Sequence, residues 1–227
     1  MNVHWFPGHM AKTRRMMAES LKIVDIAAEL VDARLPLSSR NPEIDKLLQN
    51  KERILILNKS DMADQAVTEK WIDYFAQQNI PAVAVSASTG KGIGQITAMA
   101  KKVLREKQER DEKRGIRRNV KMMVCGIPNV GKSSFINRLA GRASTKTGDR
   151  PGVTRGKQWI RLKDGVELLD MPGILWPKFD NQEAALRLAY TGAIRDEIMD
   201  VEELACQLLI FLKDSYREQL CQRYQLE

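Results

Sequence analysis

The chain has 227 residues, of which 43% are hydrophobic and 29% charged, and 37 Lys and Arg against 29 Asp and Glu give a net charge of +8. The apolar fraction excludes a globally disordered chain, and no apolar run reaches the roughly 20 residues needed to cross a bilayer. Three scattered cysteines exclude a disulfide framework, and two histidines are too few for a His-rich metal site. We expect a cytoplasmic protein with one ordinary domain and a smaller second one, whose positive charge favours an acidic partner such as nucleic acid.

Predicted helices and strands alternate in the first half of the chain. The predicted helices cover 9–22, 41–49, 66–79 and 92–114. The apolar stretch 23–34 predicts a buried strand that ends at Asp32, and two further strands are predicted over 53–59 and 82–88. The last helix is amphipathic at first and then almost entirely charged, which is typical of a solvated helix end or a linker.

The second half begins in the same way and then becomes entirely helical. A buried strand at 120–126 precedes a Gly-rich turn, a helix and a long loop, and two further strands pair around Asp164-Gly165. The elements predicted after this strand are the helix 132–140, the loop 142–157, the strands 157–162 and 166–171, and the helices 181–193, 200–213 and 215–225. This order predicts an α/β domain over 1–175, a mostly parallel sheet with helices on both faces, and a small all-helical domain over 176–227.

Residues 126–133, GIPNVGKS, fit the phosphate-binding pattern GxxxxGK[ST], and they lie between a predicted strand and a predicted helix as that pattern requires. Backbone N–H groups of such a loop and the helix N-terminus surround phosphates. Lys132 is expected to reach the β- and γ-phosphates, and the Ser133 hydroxyl is expected to bind Mg²⁺. The nucleotide-binding residues predicted here are Asn129, Val130, Gly131, Lys132, Ser133 and Ser134.

Two weaker patterns complete the predicted phosphate site. The sequence DMPG at 170–173 ends a strand in the manner of a DxxG motif, so that Asp170 would hold Mg²⁺ through water and the Gly173 N–H would contact the γ-phosphate. Thr154 lies in the long loop, where a switch threonine would complete the Mg²⁺ shell. Each pattern is common by itself.

The sequence NKSD at 58–61 indicates the base. The Asp61 carboxylate can accept hydrogen bonds from N1–H and the 2-amino group of guanine, whereas adenine offers no such pair of donors. Asn58 would connect this loop to the phosphate loop, and the stem of Lys59 would lie along the purine. The sequence SAS at 86–88, with Ser86 and Ala87, would offer a backbone N–H to the guanine O6. Together these motifs predict a guanine-nucleotide site at the carboxyl edge of the sheet.

The order of the motifs differs from that of the usual GTP-binding fold, in which the phosphate loop comes first. Here NKSD and SAS precede it, and Thr154 and DMPG follow it. A circular permutation produces this order while keeping every strand's neighbours. It also makes the segment 170–175 lead directly into the C-terminal helices, so that nucleotide state could move them.

With the permuted order, GIPNVGKSS, DMPG, NKSD and the N-terminal HWFPGHMAKT, the chain resembles the YlqF/RbgA family, ribosome biogenesis GTPase A, over essentially its whole length. The resemblance implies GTP hydrolysis in the assembly of the large ribosomal subunit, stimulated by the ribosomal particle, with rRNA and ribosomal proteins as partners; related proteins act in mitochondria. Family members have a longer C-terminal helical domain, so the resemblance implies that residues up to Glu227 form a truncated one.

The group that would activate the attacking water does not follow from the usual motif. Ras-like GTPases position the attacking water with a Gln directly after DxxG, where this chain has Ile174. The resemblance points to His9, whose imidazole can accept or relay a proton, although His9 could equally begin a helix after a Pro-Gly turn. Asn129 resembles the asparagine that seats K⁺ in potassium-stimulated GTPases, and a turn-forming Asn is the alternative.

Two other functions remain open at this point. The first is a guanine-nucleotide-regulated RNA-binding module in which hydrolysis is incidental. The second is a P-loop kinase or ATPase, which NKSD disfavours.

Overall fold

The computed structural model describes residues 9–116, 118–141, 158–175, 181–194 and 200–226, and the side chains of 9–11 lie outside this description. The strands are β1 (Ile26–Asp32), β2 (Glu52–Asn58), β3 (Ala82–Ala84), β4 (Val120–Gly126), β5 (Gln158–Arg161) and β6 (Val166–Asp170). The helices are α1 (His9–Leu21), α2 (Pro42–Leu47), α3 (Gln65–Gln77), α4 (Ile96–Val103), α5 (Arg105–Lys113), α6 (Lys132–Ala140), α7 (Gln182–Tyr190), α8 (Val201–Ser215) and α9 (Arg217–Tyr224).

The six described strands form one sheet in the order β3-β2-β1-β4-β6-β5. All neighbouring strands run parallel except the hairpin of β5 and β6, which is antiparallel around the turn at Asp164-Gly165. The base motifs follow β2 and β3, and the phosphate loop follows β4, which lies two strands away from β2. The predicted α/β class, the mostly parallel sheet and the permuted order of elements are confirmed.

The core of the sheet lies around β1. All seven residues of β1 are buried, and because successive side chains point to opposite faces, both faces of this strand are covered. On one face Val31, Leu55 and Leu57 pack with Phe75 of α3. Such two-sided burial favours apolar residues, and the two charged residues of β1, Glu29 and Asp32, are buried beside cationic side chains.

The predicted long helix over 92–114 is wrong as a single element. A short 3-10 turn covers Ile93–Gln95, and α4 and α5 are separated at Leu104, where ψ is 6° and the side chain is 2% exposed. Leu104 ends the amphipathic part by turning into the interior, whereas α5 has no buried residue. The strand predicted over 82–88 is also shorter, because the chain leaves the sheet after Ala84.

The residues fall into two compact units, one within 6–176 and the other within 177–227. In the second unit α7 is capped by Asn181 and buries Ala185 and Leu188. The boundary predicted at 175/176 adjoins residues 176–180, which are outside the described part of the chain, and it stays a prediction. Within the described residues, no helix is both long and apolar enough to cross a bilayer.

Candidate nucleotide-binding site

The parallel strands bring the predicted motifs to one edge of the sheet. Asp32 at the end of β1 pairs with Asn58 at the end of β2, and Leu30 pairs with Gly126 at the end of β4. Asp170 ends β6 opposite Val124. The three segments that begin at Asn58, Gly126 and Asp170 therefore leave the sheet side by side, although they lie far apart in the chain.

The Asn58 side chain joins the base motif to two other loops. Its Nδ2 donates to the Val130 carbonyl at 2.9 Å, and its Oδ1 accepts from the Ala87 amide at 3.1 Å. Asn58 is buried, so both halves of its amide need such partners. A Cβ at Gly131 would lie 2.4 Å from Nδ2, and φ there is +94°, so only glycine fits beside this bond.

Lys59 is held in place by a residue that the sequence analysis did not identify as part of the site. Its Nζ donates to the Asn129 carbonyl at 2.9 Å and lies 3.1 Å from Oδ2 of Asp32. Burial alone would raise the pKa of Asp32, but hydrogen bonds from Arg34 and the charges of Lys59 and Arg34 lower it below its usual value. Asp32 is therefore a buried, ionised anchor for Lys59. The sequence marks Asp32 only as the last residue of a predicted strand, and the pairing of Asp32 with Asn58 is seen only in the structure.

We predict that Asp32→Asn weakens nucleotide binding without changing base preference. The amide removes the negative charge that Lys59 and Arg34 share, and the weakening of one charged hydrogen bond to Lys59 corresponds to about a tenfold loss of affinity. Titration with fluorescent GDP and GTP analogues should show equal losses for both. Asp25→Asn is the matched control, because Asp25 is also buried and paired with Lys107 but precedes β1 at the opposite edge. An unchanged affinity in Asp32→Asn would contradict this role.

Asp61 presents an ionised acceptor next to the loop 86–88. A hydrogen bond with Ser86 lowers the pKa of the Asp61 carboxyl, and Ser88 Oγ donates to its Oδ2 at 3.1 Å. Asp61 is exposed, so its carboxylate is accessible to a ligand.

The loop 86–88 is itself fixed from two sides. The Ala87 amide donates a hydrogen bond to Asn58 Oδ1. Arg138 of α6 donates to the Ala87 carbonyl at 3.0 Å and also to the Ser88 carbonyl. The Ser86 amide donates to the Lys91 carbonyl at 2.9 Å. Arg138 was not identified from the sequence, because a single exposed Arg near the end of a helix gives no signal of a contact with a loop 50 residues earlier.

Lys132 and Asp170 are buried groups of opposite charge that attract each other without direct contact. Lys132 Nζ donates to the carbonyls of Ile127 at 2.7 Å and Gly126 at 3.2 Å. Burial lowers the pKa of Lys132 to about 8 and raises the pKa of Asp170 to about 6, and the attraction between them opposes both shifts. At neutral pH both groups are therefore predominantly charged.

The Asp170 carboxylate also has the chemistry of a cation ligand. Both of its oxygens are buried and no side chain among the described residues donates to them, although the neighbouring Met171 amide acts as a weak donor that lowers the carboxyl pKa. An ionised carboxylate buried with so little hydrogen bonding is costly, and Mg²⁺ prefers oxygen ligands of this kind. The residues present therefore fit Mg²⁺.

The segment after Asp170 lies against the phosphate loop. A Cβ at Gly173 would lie 2.7 Å from the Pro128 nitrogen and 2.9 Å from Lys132 Nζ, so a side chain there would displace one segment from the other. The Ile174 amide donates to the Gly126 carbonyl at 3.3 Å. The Ile174 side chain is buried and aliphatic, so it cannot orient a water molecule.

The remaining predicted residues are placed only in part. Ser133 and Ser134 lie in the first turn of α6, half-buried and exposed respectively, and Asn129 has a left-handed φ of 55°. α1 begins at His9, but the His9 side chain is outside the description. Thr154 also lies outside the described residues. In the described part of the chain no group of three or more His, Cys, Asp or Glu could hold a metal ion.

Known proteins resemble this chain in sequence and in structure. Residues 121–226 match a family model described as a 50S ribosome-binding GTPase. The whole chain is 53% identical to the ribosome biogenesis GTPase A of Priestia megaterium and covers 79% of it. It is 35% identical, over 99% of its length, to the mitochondrial ribosome-associated GTPase 1 of Ictalurus punctatus and covers 73% of that protein. The solved structure of GNP-bound YlqF from T. maritima has a TM-score of 0.63 and 27% identity, over 95% of this chain and 84% of that one.

Proposed function

The chain belongs to the ribosome biogenesis GTPase A family of circularly permuted GTPases, and we propose that its hydrolysis of GTP to GDP and phosphate serves assembly of the large ribosomal subunit. The main observation that supports one guanine-nucleotide site is the buried Asn58 side chain, which joins the base motif, the phosphate loop and the loop 86–88. Relatives that are named for ribosome biogenesis or for association with the ribosome support the partner.

Guanine is selected by Asp61 and the neighbouring loop in this proposal. The ionised carboxylate accepts from N1–H and the 2-amino group, and Lys59, held by Asp32, covers the purine with its stem. The amides of Ser86 and Ala87 already donate to Lys91 and Asn58. The Ser88 amide has no acceptor among the described residues, so we assign it to the guanine O6, and we assign to Ser86 and Ala87 the role of holding this loop against the base.

The phosphates and Mg²⁺ are assigned to the phosphate loop and the segment from Asp170. Backbone amides of 129–134 and the ammonium group of Lys132 contact the phosphates, and Gly173 contacts the γ-phosphate. Ser133, Thr154 and Asp170 are the proposed Mg²⁺ ligands, supported by the buried Asp170 oxygens, to which no side chain among the described residues donates. Mg²⁺ supplies positive charge to the β- and γ-phosphate oxygens when it is bound.

The remaining assignments rest on sequence and family. His9 is the proposed group that handles the attacking water, since the buried Ile174 cannot, and Asn129 is the proposed K⁺ contact beside the phosphates. We further propose that the helical residues 176–227 form a domain that responds to the nucleotide, because 170–175 leads into it. A cytoplasmic location belongs to the same proposal and is supported by bacterial relatives.

The ribosomal partner is tested by co-sedimentation with large subunits or their precursors in the presence of GDP or a non-hydrolysable GTP analogue. Because the net charge of +8 favours rRNA contacts, we expect the GTP-analogue complex to sediment and its affinity to fall at least about tenfold between roughly 50 and 200 mM salt. A salt-insensitive affinity would indicate an apolar protein contact instead.

A single-turnover assay with and without particles separates this function from the main alternative. A stimulated rate supports the assembly GTPase. Binding without any stimulation would favour a guanine-nucleotide-regulated RNA-binding module in which hydrolysis is incidental.

A further inference from the structure

Asn41 is a buried residue whose side chain joins two segments that are distant in the chain. Its Nδ2 donates to the Ile174 carbonyl at 2.8 Å, across 133 residues of sequence. Its Oδ1 accepts from the Glu43 amide at 2.9 Å, and the residue is 1% exposed. Both halves of the amide are therefore used, and one of them contacts the segment that follows Asp170.

Helix capping accounts for only one of these two bonds. Asn41 is the N-cap of α2, a position at which Asp or Ser would accept the same backbone N–H. Asp64 and Asp200 do this for α3 and α8 with a carboxylate oxygen. The Nδ2 donor is not needed to cap a helix. Its bond to the Ile174 carbonyl therefore contributes to the position of the segment 171–175 and not to the helix cap.

Asn41 and the phosphate loop each hold one backbone group of Ile174. The Ile174 amide donates to the Gly126 carbonyl at 3.3 Å, while the Ile174 carbonyl accepts from Asn41. Directly before it, Gly173 lies against Pro128 and Lys132. A displacement of Gly173 away from the phosphate loop that also shifts Ile174 would strain the bond to Asn41, and a buried carbonyl left without a partner is unfavourable.

Asn41 is a firm support because its neighbours are anchored to the sheet. Arg40 donates to Asp45 at 2.6 Å, lies 3.6 Å from the buried Glu29 of β1, and packs over the ring of Phe75. The start of α2 is thereby fixed on the face of the sheet that Phe75 covers. The segment 171–175 is thus bonded both to the end of β4 and to a residue that is anchored on the sheet.

α2 also contacts the N-terminal helix. Glu43 in its first turn pairs with Arg14 of α1 at 3.1 Å, an exposed and therefore weak ion pair. Burial of Met17 fixes α1 on the body of the domain. A contiguous set of contacts therefore runs from Gly173 through Asn41 and α2 to the helix that begins at His9.

We propose that Asn41 is a positioning residue for GTP hydrolysis, which holds Gly173 at the phosphate loop through the Ile174 carbonyl and connects that segment to α2 and α1. The inference rests on the proposed contact of Gly173 with the γ-phosphate. Since GDP has no γ-phosphate, Asn41 should matter for GTP and for hydrolysis and should not matter for GDP.

The test is Asn41→Asp, which keeps the size and the helix cap but replaces the donor with an acceptor that faces a carbonyl oxygen. We expect the affinity for a non-hydrolysable GTP analogue to fall about tenfold and the single-turnover rate to fall by at least as much, with GDP affinity unchanged within about twofold. In the wild type, amides of α2 should gain hydrogen-exchange protection when the GTP analogue replaces GDP, and the variant should lose this difference.

Two further variants keep the test decisive. A buried Asp could take up a proton and donate again, so Asn41→Ser, which caps without reaching Ile174, should give the same losses. Asn181→Asp changes an exposed N-cap of α7 in the same way and should leave basal hydrolysis and both affinities unchanged.

The possible results are separable. Equal losses of GDP and GTP affinity in the Asn41 variants would make Asn41 only a structural cap, and no loss at all would also overturn the inference. A wild-type protein that binds no GTP would contradict the proposed function itself.

Discussion

Replacing Asp61 by asparagine is expected to reverse the base preference, from GTP to xanthosine triphosphate. The Asp61 carboxylate is exposed and ionised beside Ser86 and Ser88, and it offers two acceptors to the two donors on the guanine edge. An amide presents one donor and one acceptor, which leaves a guanine donor unpaired but matches xanthine, where an oxygen replaces the 2-amino group. Sites built on such hydrogen bonds discriminate strongly, so the GTP preference should fall by at least about 10²-fold.

Competition between GTP and xanthosine triphosphate for a fluorescent nucleotide measures this change directly. Asp64→Asn is the matched control, because it removes the same charge three residues away, at the exposed N-cap of α3, where Asn caps as well as Asp. Thermal unfolding of both variants should stay close to that of the wild type. An unchanged preference in Asp61→Asn would place the base elsewhere.

Much of the sheet could be predicted from hydrophobic patterning and loop chemistry. β4 and α6 have the predicted bounds, because an apolar run, a Gly-rich turn and an amphipathic helix give three agreeing local signals. The long helix over 92–114 failed because its break is tertiary in origin. Leu104 turns inward to be buried, and nothing in the local sequence marks that turn.

The residues of the site likewise differ in whether a local sequence signal or a tertiary contact identifies them. Residues with a chemical pattern of their own, such as Lys132 and Asp61, could be named from the sequence. Asp32, Arg138 and Asn41 could not, because each acts through a partner between 27 and 133 residues away and has no motif of its own. Only the register of β1 with its neighbours brings Asp32 to Lys59.

His9→Ala is expected to lower the rate of GTP hydrolysis by roughly 10²–10⁴-fold, the contribution of a positioned acid–base group. The position that carries the water-orienting Gln in Ras-like GTPases is Ile174, which is buried between the Gly126 carbonyl and Asn41. A polar group must therefore come from another segment. His9, at the start of α1, is the candidate to which the family resemblance points.

The affinity for GTP should barely change in His9→Ala, because the imidazole would act on water and would not hold the nucleotide. A lower rate at unchanged affinity is the signature of an interaction made in the transition state. Single-turnover hydrolysis and nucleotide titration, each with and without ribosomal particles, measure the two quantities, and His4→Ala is the control for loss of a nearby imidazole. If His9→Ala loses GTP binding, His9 is a structural residue. If it keeps full stimulated activity, the group that orients the water is supplied by the ribosomal particle, because the buried Ile174 cannot orient it.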